Sequence, residues 1–492
     1  MGEYPGGVNA DEAYAGYEAW SLFHYGMDSW GYSMPVYFTV WGSGMSILNS
    51  YLMIPFIVAG GLNPVTVRIP QMLFGVLTVW LLYGMVKRAA DQRTALWAAF
   101  LLAVSPWHIM TTRYGMDANL APALIMLGAY FGVRGLESGK YLIVSALFWG
   151  LSLYAYATIW TFVPVFLAGG IGYCLYTRRL KISGWLTAAC VILFLIALPL
   201  LLFVAVNTGM MPEIRTTLIS IPKLVCFRAD EMNIKKLPEN MLHALKLFIT
   251  QNDHNIWNSI PYFGVGYLFS TPFLLVGMAK IVKTVWNSIR EKSFTSFSYD
   301  VLLLWWVVTA AASAVLQRTN LNRINAIHLA MFIVLAKGIV CFCTKMRYPL
   351  QYGILALYSI SFLVFEGYYF TAYQDIISER QLAGAGQALA CADKFYETKK
   401  YDAIHVTAQL RHSHVLFYTQ YPTDRYIEEV QWKNYPNKYL VARSFGNYYW
   451  DDEEEVLDER GVYVIVREEF EEFEHAGYEI LPFSYCGVAY KH

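Results

Sequence analysis

Two adjacent carboxylates near the start of the chain are the residues whose types and spacing best suit chemistry. Asp11 and Glu12 open a helix-favouring run in the stretch P-G-G-V-N-A-D-E-A-Y. A positioned carboxylate can act as a general base and take a proton from a hydroxyl. A helix start capped by Asn9 would also favour two acids, because its dipole attracts negative charge. The residues alone therefore allow a catalytic interpretation and a structural one.

Three arginines between apolar runs are candidates for holding an anionic group. Arg113 follows one apolar run, and Arg318 and Arg323 flank the asparagine-rich turn T-N-L-N-R-I-N. Fixed positive charge stabilises negative charge that grows on a leaving group during a reaction. The alternative is that these side chains reach lipid headgroups at a membrane surface.

A further set of polar residues suits contact with a substrate or a metal. Asp117 lies four residues after Arg113, and Asp253 and His254 lie in the long polar segment 207–261. Asp117 fits a helix cap equally well. The Cys and His residues show no zinc-ligand spacing, and His254 has no second ligand that the sequence can assign. A divalent metal stays an open alternative, and no definite metal site is predicted.

Long apolar runs must position these residues. Hydrophobic residues make up 56% of the 492-residue chain and charged residues 15%, whereas a soluble domain carries roughly 25% charge. Ten runs approach the length of about 20 residues that a spanning helix needs. They lie at residues 69–86, 94–110, 116–133, 141–157, 159–176, 185–206, 262–285, 301–316, 324–343 and 350–370. We therefore predict an all-α polytopic membrane protein with about ten spanning helices.

The distribution of Lys and Arg predicts the orientation, because basic loops stay in the cytoplasm. Loops rich in Lys and Arg alternate along the chain with loops that contain few of them. The loops with few basic residues are those that contain Arg113, residues 207–261 and Arg318. The loops with few basic residues and both chain ends are expected on the extracytoplasmic side. The protein itself is expected in the cell membrane (the inner or plasma membrane). This parity also leads us to expect a spanning helix upstream of this sequence in the full gene product. The net charge of zero gives no indication of a nucleic-acid partner.

Composition divides the chain into three parts. Residues 1–68 form an extracytoplasmic first loop with interfacial helices and the Asp-Glu motif, and the apolar segment 47–62 within it is expected to be interfacial or re-entrant. Residues 69–370 form the membrane core. Residues 371–492 are more charged and are expected to form a small extracytoplasmic α/β domain. It has predicted strands at 404–407 and 462–466, helices near 382–396 and 413–419, and acidic runs at 451–455 and 468–474.

Several strings in the first 120 residues resemble a known family. N-A-D-E-A, M-P-V-Y-F-T-V-W-G, R-I-P-Q-M-L-F-G-V-L-T-V-W-L-L-Y and L-L-A-V-S-P-W-H-I-M-T-T-R-Y-G-M-D-A-N occur in that order. N-I-W-N-S-I-P-Y-F-G-V-G-Y and R-T-N-L-N-R-I-N-A-I-H extend the likeness into the second half. The chain thereby resembles the GT-C fold glycosyltransferases, most of all the protein O-mannosyltransferases and the aminoarabinose transferases that modify lipid A.

The resemblance implies a membrane glycosyltransferase that takes a hexose or pentose from a polyprenyl-phosphate donor. Asp11 would be the catalytic base with Glu12 beside it, and Arg113 would contact the donor phosphate. A polyprenyl phosphate is already a competent leaving group, so one inverting displacement suffices. In the lipid A-modifying relatives a histidine lies near a metal, a position that His254 would match. Those relatives carry a lysine where this chain has Met34 before Pro35, which argues against an aminoarabinose donor and a lipid A acceptor.

Three other functions remain open at this stage. A flippase or transporter for a lipid-linked sugar would also span the membrane many times, although such proteins usually contain repeated halves and none is visible here. A polymer ligase would use the same donors without an Asp-Glu pair in the first loop. An inactive relative would keep the scaffold alone. The acceptor, whether protein, lipid or cell-envelope glycan, and the sugar itself are not predicted.

Overall fold

The computed structural model describes residues 2, 4–227, 234–291, 295–346, 349–399, 401–450 and 457–491. The acidic run predicted at 451–455 lies outside these residues. Within them the chain is mostly helical in its first three quarters and forms a mixed sheet near its end.

The helices of the first three quarters follow the apolar runs of the sequence. In chain order they are α1 (Ala10–Tyr25), α2 (Leu48–Gly60), α3 (Pro64–Ala89), α4 (Gln92–Ala103), α5 (Pro106–Thr111), α6 (Asp117–Gly135), α7 (Lys140–Ser152), α8 (Ile159–Tyr176), α9 (Gly184–Asn207), α10 (Leu237–Thr250), α11 (Thr271–Arg290), α12 (Tyr299–Val315), α13 (Asn325–Met346) and α14 (Leu350–Tyr369). Each of the ten predicted runs contains a helix.

Six helices of the described chain are long and apolar enough to cross a membrane, namely α3, α8, α9, α11 with the turn before it, α13 and α14. Shorter apolar helices include α2, α7 and α12. The predicted run at 94–110 is broken into α4 and α5 because Ser105 caps α5 and Pro106 occupies its first turn. The chain is therefore a multi-pass membrane protein, in which six of the described helices have the length of a full span and shorter apolar helices accompany them.

Close backbone packing joins two of the long helices. A side-chain carbon added to Gly277 of α11 would lie 2.0 Å from the carbonyl oxygen of Val334, and one added to Gly338 of α13 would lie 1.8 Å from that of Phe273. Small residues at helix contacts allow this approach, which is the usual way for helices to associate in lipid.

The chain divides into two compact units, each assembled from separated segments. The first contains residues 1–70, 200–228 and 369–492, and the second contains residues 71–199 and 229–368. The first unit joins the Asp-Glu segment with the C-terminal α/β segment, a grouping that the three-part division of the sequence did not contain.

The C-terminal segment forms α15 (Ala372–Arg380), α16 (Ala385–Lys399), α17 (His412–Thr419), α18 (Thr423–Glu429) and α19 (Phe470–His475). Two short strands, β1 (Ile214–Arg215) and β2 (Ser220–Ile221), precede it in the chain. Its own strands are β3 (Ala403–Val406), β4 (Gln431–Trp432), β5 (Ala442–Phe445), β6 (Tyr448–Tyr449), β7 (Gly461–Val466), β8 (Glu479–Phe483) and β9 (Cys486–Tyr490).

The seven strands form one sheet in the order β4-β5-β6-β3-β7-β9-β8. Strand β3 runs parallel to β6 and β7, and the other neighbours are antiparallel. Ile404 pairs with Val462 and Val406 with Val464, which places fully buried side chains at the sheet centre. The predicted α/β character of this segment and its two central strands are thus confirmed.

Candidate functional site

The first turn of α1 holds the two carboxylates in different environments. The side chain of Asn9 accepts a hydrogen bond from the backbone N–H of Asp11 at 2.8 Å, and Glu12 Oε2 accepts one from the backbone N–H of Asn9 at 3.1 Å. This reciprocal capping box satisfies donors that the helix start would otherwise leave without partners. The cap turns Glu12 inward, where it is fully buried, and leaves Asp11 partly exposed.

Glu12 forms a buried ion pair with Arg68 of α3. Arg68 Nε donates to Glu12 Oε1 at 2.8 Å and Nη2 donates to Oε2 at 2.9 Å, with both side chains 0% exposed. The same guanidinium also donates to the carbonyl oxygens of Pro5 and Gly7, both at 2.8 Å. Arg68 thus binds both carboxylate oxygens of Glu12 and uses its other N–H groups on the backbone carbonyls that precede α1. These bonds fix the chain segment before α1. Glu12 is therefore placed as a structural anchor of the Asp11 helix.

Asp11 is held by a tryptophan from the loop before α2. Trp41 Nε1 donates to Asp11 Oδ1 at 3.0 Å. Trp41 itself has a φ of 61°, a left-handed conformation that is rare for a bulky residue. Its carbonyl oxygen accepts a hydrogen bond from the backbone N–H of Leu440 at 2.8 Å, which helps to hold this backbone. Strained residues of this kind cost about 1–3 kcal/mol and cluster at functional sites.

Aromatic rings surround the Trp41 side chain. Tyr14 lies edge-on to it at a centroid distance of 4.8 Å, and His412 of α17 lies at 5.9 Å. The Tyr14 hydroxyl is hydrogen-bonded to His412 Nε2. Burial, assisted by the charge of Arg411, lowers the pKa of His412 to about 3, so its ring is neutral near pH 7. The C-terminal segment thus contributes directly to the surroundings of Asp11.

A second pair of carboxyls, which the sequence did not single out, is buried further along α1. Glu18 and Asp28 are both 0% exposed. Glu18 accepts hydrogen bonds from the backbone N–H of Ser29 at 2.8 Å and from its hydroxyl. Burial and then the neighbouring Asp28 raise the pKa of Glu18, and burial likewise raises the pKa of Asp28 above its ordinary value. The pair therefore retains a proton at pH values where exposed carboxyls are ionised.

Arg113 lies in the second unit, in the segment between α5 and α6. Its backbone N–H donates to the Met110 carbonyl at 3.0 Å, which continues the last turn of α5. Its guanidinium is within electrostatic reach of Glu366 in α14. Glu366, a carboxylate within the apolar helix α14, thus lies near Arg113 inside the second unit.

The turn that carries Arg318 and Arg323 is fastened to the segment after Arg113. Asn325 Nδ2 donates to the carbonyl of Ala118 at 2.7 Å, joining the starts of α13 and α6. Arg323 Nη1 donates to the Arg318 carbonyl at 3.2 Å, and the Arg318 side chain is exposed. Asp117 is the first residue of α6 and follows the N-cap position, which Met116 occupies, so it is not the helix cap that the sequence suggested as an alternative. The second unit therefore brings the Arg113 segment and the 318–325 turn together.

Asp253 is a structural centre for the preceding loop. Its Oδ2 accepts from Asn258 Nδ2 at 2.7 Å and from the backbone N–H of Leu321 at 3.0 Å. Its Oδ1 accepts from the backbone N–H of Asn255 at 3.0 Å. His254 is exposed beside it. Among the described residues no three His, Cys, Asp or Glu side chains lie close enough together to hold a metal ion, so the geometry favours a loop-fastening role for Asp253.

Comparisons with known proteins agree with this architecture. Residues 44–203 match the model of the family described as dolichyl-phosphate-mannose-protein mannosyltransferase. The crystal structure of ArnT from Cupriavidus metallidurans in the apo state matches with a TM-score of 0.55 and 12% identity, covering 99% of this chain and 94% of that one. The same protein bound to undecaprenyl phosphate matches with a TM-score of 0.54 and 10% identity over the same shares. None of the curated protein sequences matches this chain. At this identity the likeness shows the fold, and the resemblance to the mannosyltransferase and ArnT group is confirmed.

Proposed function

We propose that this chain, which has the ArnT-like GT-C fold and a segment matching the dolichyl-phosphate-mannose-protein mannosyltransferase family, is a membrane glycosyltransferase. It moves a sugar from a polyprenyl-phosphate donor to a hydroxyl of an acceptor outside the cytoplasm. The ArnT structure with bound undecaprenyl phosphate supports a donor of this kind. The alternation of basic and non-basic loops supports the orientation.

Asp11 is the proposed general base, and the observation that carries the proposal is its hydrogen bond from the strained Trp41. A carboxylate held in one position by a rigid donor keeps its second oxygen in a defined direction. Glu12 has a different proposed role, because its buried pair with Arg68 uses both of its oxygens. Glu12 anchors the helix that carries the base.

Arg113 is the proposed ligand of the donor phosphate, with Arg318 and Arg323 as further cations on the adjoining turn. Positive charge in this position stabilises the phosphate as it leaves. The carboxylate of Glu366 lies within electrostatic reach of Arg113, and its proposed role is to help position the guanidinium. Asp117 and Asp253 support the segments that carry these cations, and a metal role for His254 is not part of the proposal.

The proposed reaction is a single displacement. The acceptor hydroxyl gives its proton to Asp11, and its oxygen forms a new bond to the anomeric carbon of the sugar. The bond between that carbon and the phosphate oxygen breaks, and its electron pair leaves with the polyprenyl phosphate. Configuration at the anomeric carbon is inverted. No acid is required at the leaving group because the phosphate is a stable anion.

Turnover of a defined donor tests this proposal. The purified full chain in lipid nanodiscs is supplied in turn with undecaprenyl-phosphate-linked mannose, glucose, N-acetylglucosamine and arabinose. Release of undecaprenyl phosphate from at least one donor, by transfer or by slow hydrolysis, is expected for the native chain and not for Asp11→Asn. A folded protein that consumes none of these donors would argue against the proposed function.

A further inference from the structure

A polar groove lies in the C-terminal part of the first unit, at the end of the sheet formed by β4, β5 and β6. Its cavity volume is about 1070 Å³. The exposed side chains of Arg425 and Glu428 contribute from α18, Arg443 from β5 and Tyr449 from β6. Glu429 is fixed at its edge by a hydrogen bond from the Tyr421 hydroxyl at 2.5 Å and one from the backbone N–H of Gly446 at 3.1 Å.

A row of packed aromatic rings links the groove wall with Asp11, and two of its members, Trp450 and His412, are buried supports for the more accessible rings. Trp450 lines the groove, and its ring lies 6.5 Å from that of His412. His412 in turn lies 5.9 Å from Trp41, whose indole nitrogen donates to Asp11. A branch of the row leads from His412 to Trp432 at 5.3 Å. Trp41 and Trp432 are only half-buried, so part of each ring is available to a ligand.

A stacked pair extends the branch. The rings of Trp30 and Trp432 are nearly parallel, at an interplanar angle of 10° and a centroid distance of 5.9 Å. Trp30 is also half-buried. Half-exposed indoles offer a flat apolar face together with an N–H donor. The C–H face of a pyranose ring is a flat apolar surface edged by hydroxyls, so a sugar matches such a ring better than an extended peptide does.

The polar lining fits the same kind of ligand. Arginine and glutamate side chains present two parallel donors or acceptors, which can bind the neighbouring hydroxyls of a sugar. The two arginines and two glutamates named above balance in charge, which favours a neutral ligand over a phosphorylated one. A peptide would most simply bind by adding a strand to a free sheet edge. Strands β5 and β6 of the groove wall are each already paired on both sides, and the edge strand β4 is only two residues long, which leaves little edge for an added strand.

We propose that this groove binds the acceptor, and that the acceptor is a neutral glycan whose terminal hydroxyl reaches Asp11 past the half-exposed rings of Trp432 and Trp41. This inference rests on the proposed function and names its acceptor class. In the transfer step Asp11 takes the proton of the terminal hydroxyl, whose oxygen then bonds to the anomeric carbon of the donor sugar. The bond from that carbon to phosphate breaks, so the glycan is extended by one residue.

The test compares Arg443→Ala and Tyr449→Ala with a matched control. Arg467→Ala is suitable because Arg467 is also an exposed arginine of the same sheet region but does not line the groove. The full chain in nanodiscs is given maltohexaose, cellohexaose, chitohexaose, mannohexaose or a Ser/Thr-rich peptide, with the undecaprenyl-phosphate sugar that gives turnover. Donor hydrolysis by water and transfer to each acceptor are measured separately.

At least one hexasaccharide is expected to accept the sugar. Loss of one charged hydrogen bond in Arg443→Ala should raise the KM for that saccharide about tenfold or more, with donor hydrolysis and the control unchanged. Transfer to the peptide alone would overturn the proposal, and so would an unchanged saccharide KM in both groove variants. If no donor is consumed, the proposed function fails by itself. Binding of glycans to the groove is then tested separately by tryptophan fluorescence. Quenching by at least one of the same saccharides would support binding, and no quenching by any of them would refute it.

Discussion

The indole nitrogen of Trp41 lies 3.0 Å from Oδ1 of Asp11, and Trp41 reaches this position from a left-handed backbone. A rigid ring on a constrained loop gives the carboxylate a fixed donor. The contact joins two segments that lie 30 residues apart in the chain. It explains how a partly exposed carboxylate can keep one orientation.

Replacement of Trp41 by Phe should slow transfer while keeping the protein folded, because the ring stays and only the N–H donor is lost. The expected loss is about tenfold, the usual value of a hydrogen bond to a charged group. The acidic limb of the pH–rate profile should also move to higher pH, since a carboxylate that loses a donor is protonated more easily. Trp80→Phe, at an exposed position of α3, is the matched control. An unchanged rate and profile in Trp41→Phe would remove the positioning role.

Glu12→Gln should strongly lower the stability of the folded protein, and its effect should not be confined to the rate of transfer. Removing one partner of a buried ion pair typically costs about 3–5 kcal/mol because the other charge stays buried. The melting temperature of the purified protein measures this effect. Arg88 and Glu137 form an exposed pair with side chains 38% and 44% accessible, and Glu137→Gln should change the melting temperature little. Equal effects of the two substitutions would contradict the anchoring role of Glu12.

The Glu18–Asp28 pair should make stability depend on pH. Both pKa values are raised in the folded protein, so its stabilising contribution is complete below the unfolded value of about 4. It is lost progressively as pH rises from there through the raised pKa values. The melting temperature should therefore increase on acidification from pH 8.5 to 5.5, and Glu18→Gln should flatten the curve relative to Glu137→Gln. A wild-type curve parallel to that of Glu18→Gln would show that the pair does not titrate in this range.

Arg113→Ala should raise the KM for the donor much more than the KM for the acceptor. Loss of a charged contact to phosphate should raise the KM for the donor about tenfold to a hundredfold, and Arg113→Lys should retain part of the interaction as a point charge. Arg290→Ala, at an exposed position in the last turn of α11, controls for loss of charge. Donor kinetics that are unaffected in Arg113→Ala would exclude Arg113 as a phosphate ligand.

Features determined by local sequence were the most predictable. Apolar length located a helix in each of the ten runs, and short apolar strings located the buried strands β3 and β7. The break between α4 and α5 had a readable signal, since Ser105 followed by Pro106 is a helix start. It was missed because average hydropathy is continuous across it.

Features that depend on distant contacts could not be predicted. Arg68 pairs with a residue 56 positions away and His412 with one 398 positions away, and no spacing rule connects such residues. A charged residue inside the apolar stretch of α3 was nevertheless a signal that Arg68 has a buried partner. The short strands β4, β5 and β6 carry too few residues for a recognisable alternation, so the groove that they form could not be foreseen.

The central claim is that Asp11 is the base of a sugar transfer, and the rate of Asp11→Asn measures it most directly. Single-turnover transfer from the accepted undecaprenyl-phosphate sugar is compared with binding of that donor in the same nanodisc preparation. We expect the rate to fall about a hundred- to ten-thousandfold, the usual loss when a general base is removed, with donor affinity and melting temperature close to those of the native chain. Transfer at the native rate by Asp11→Asn would contradict the account.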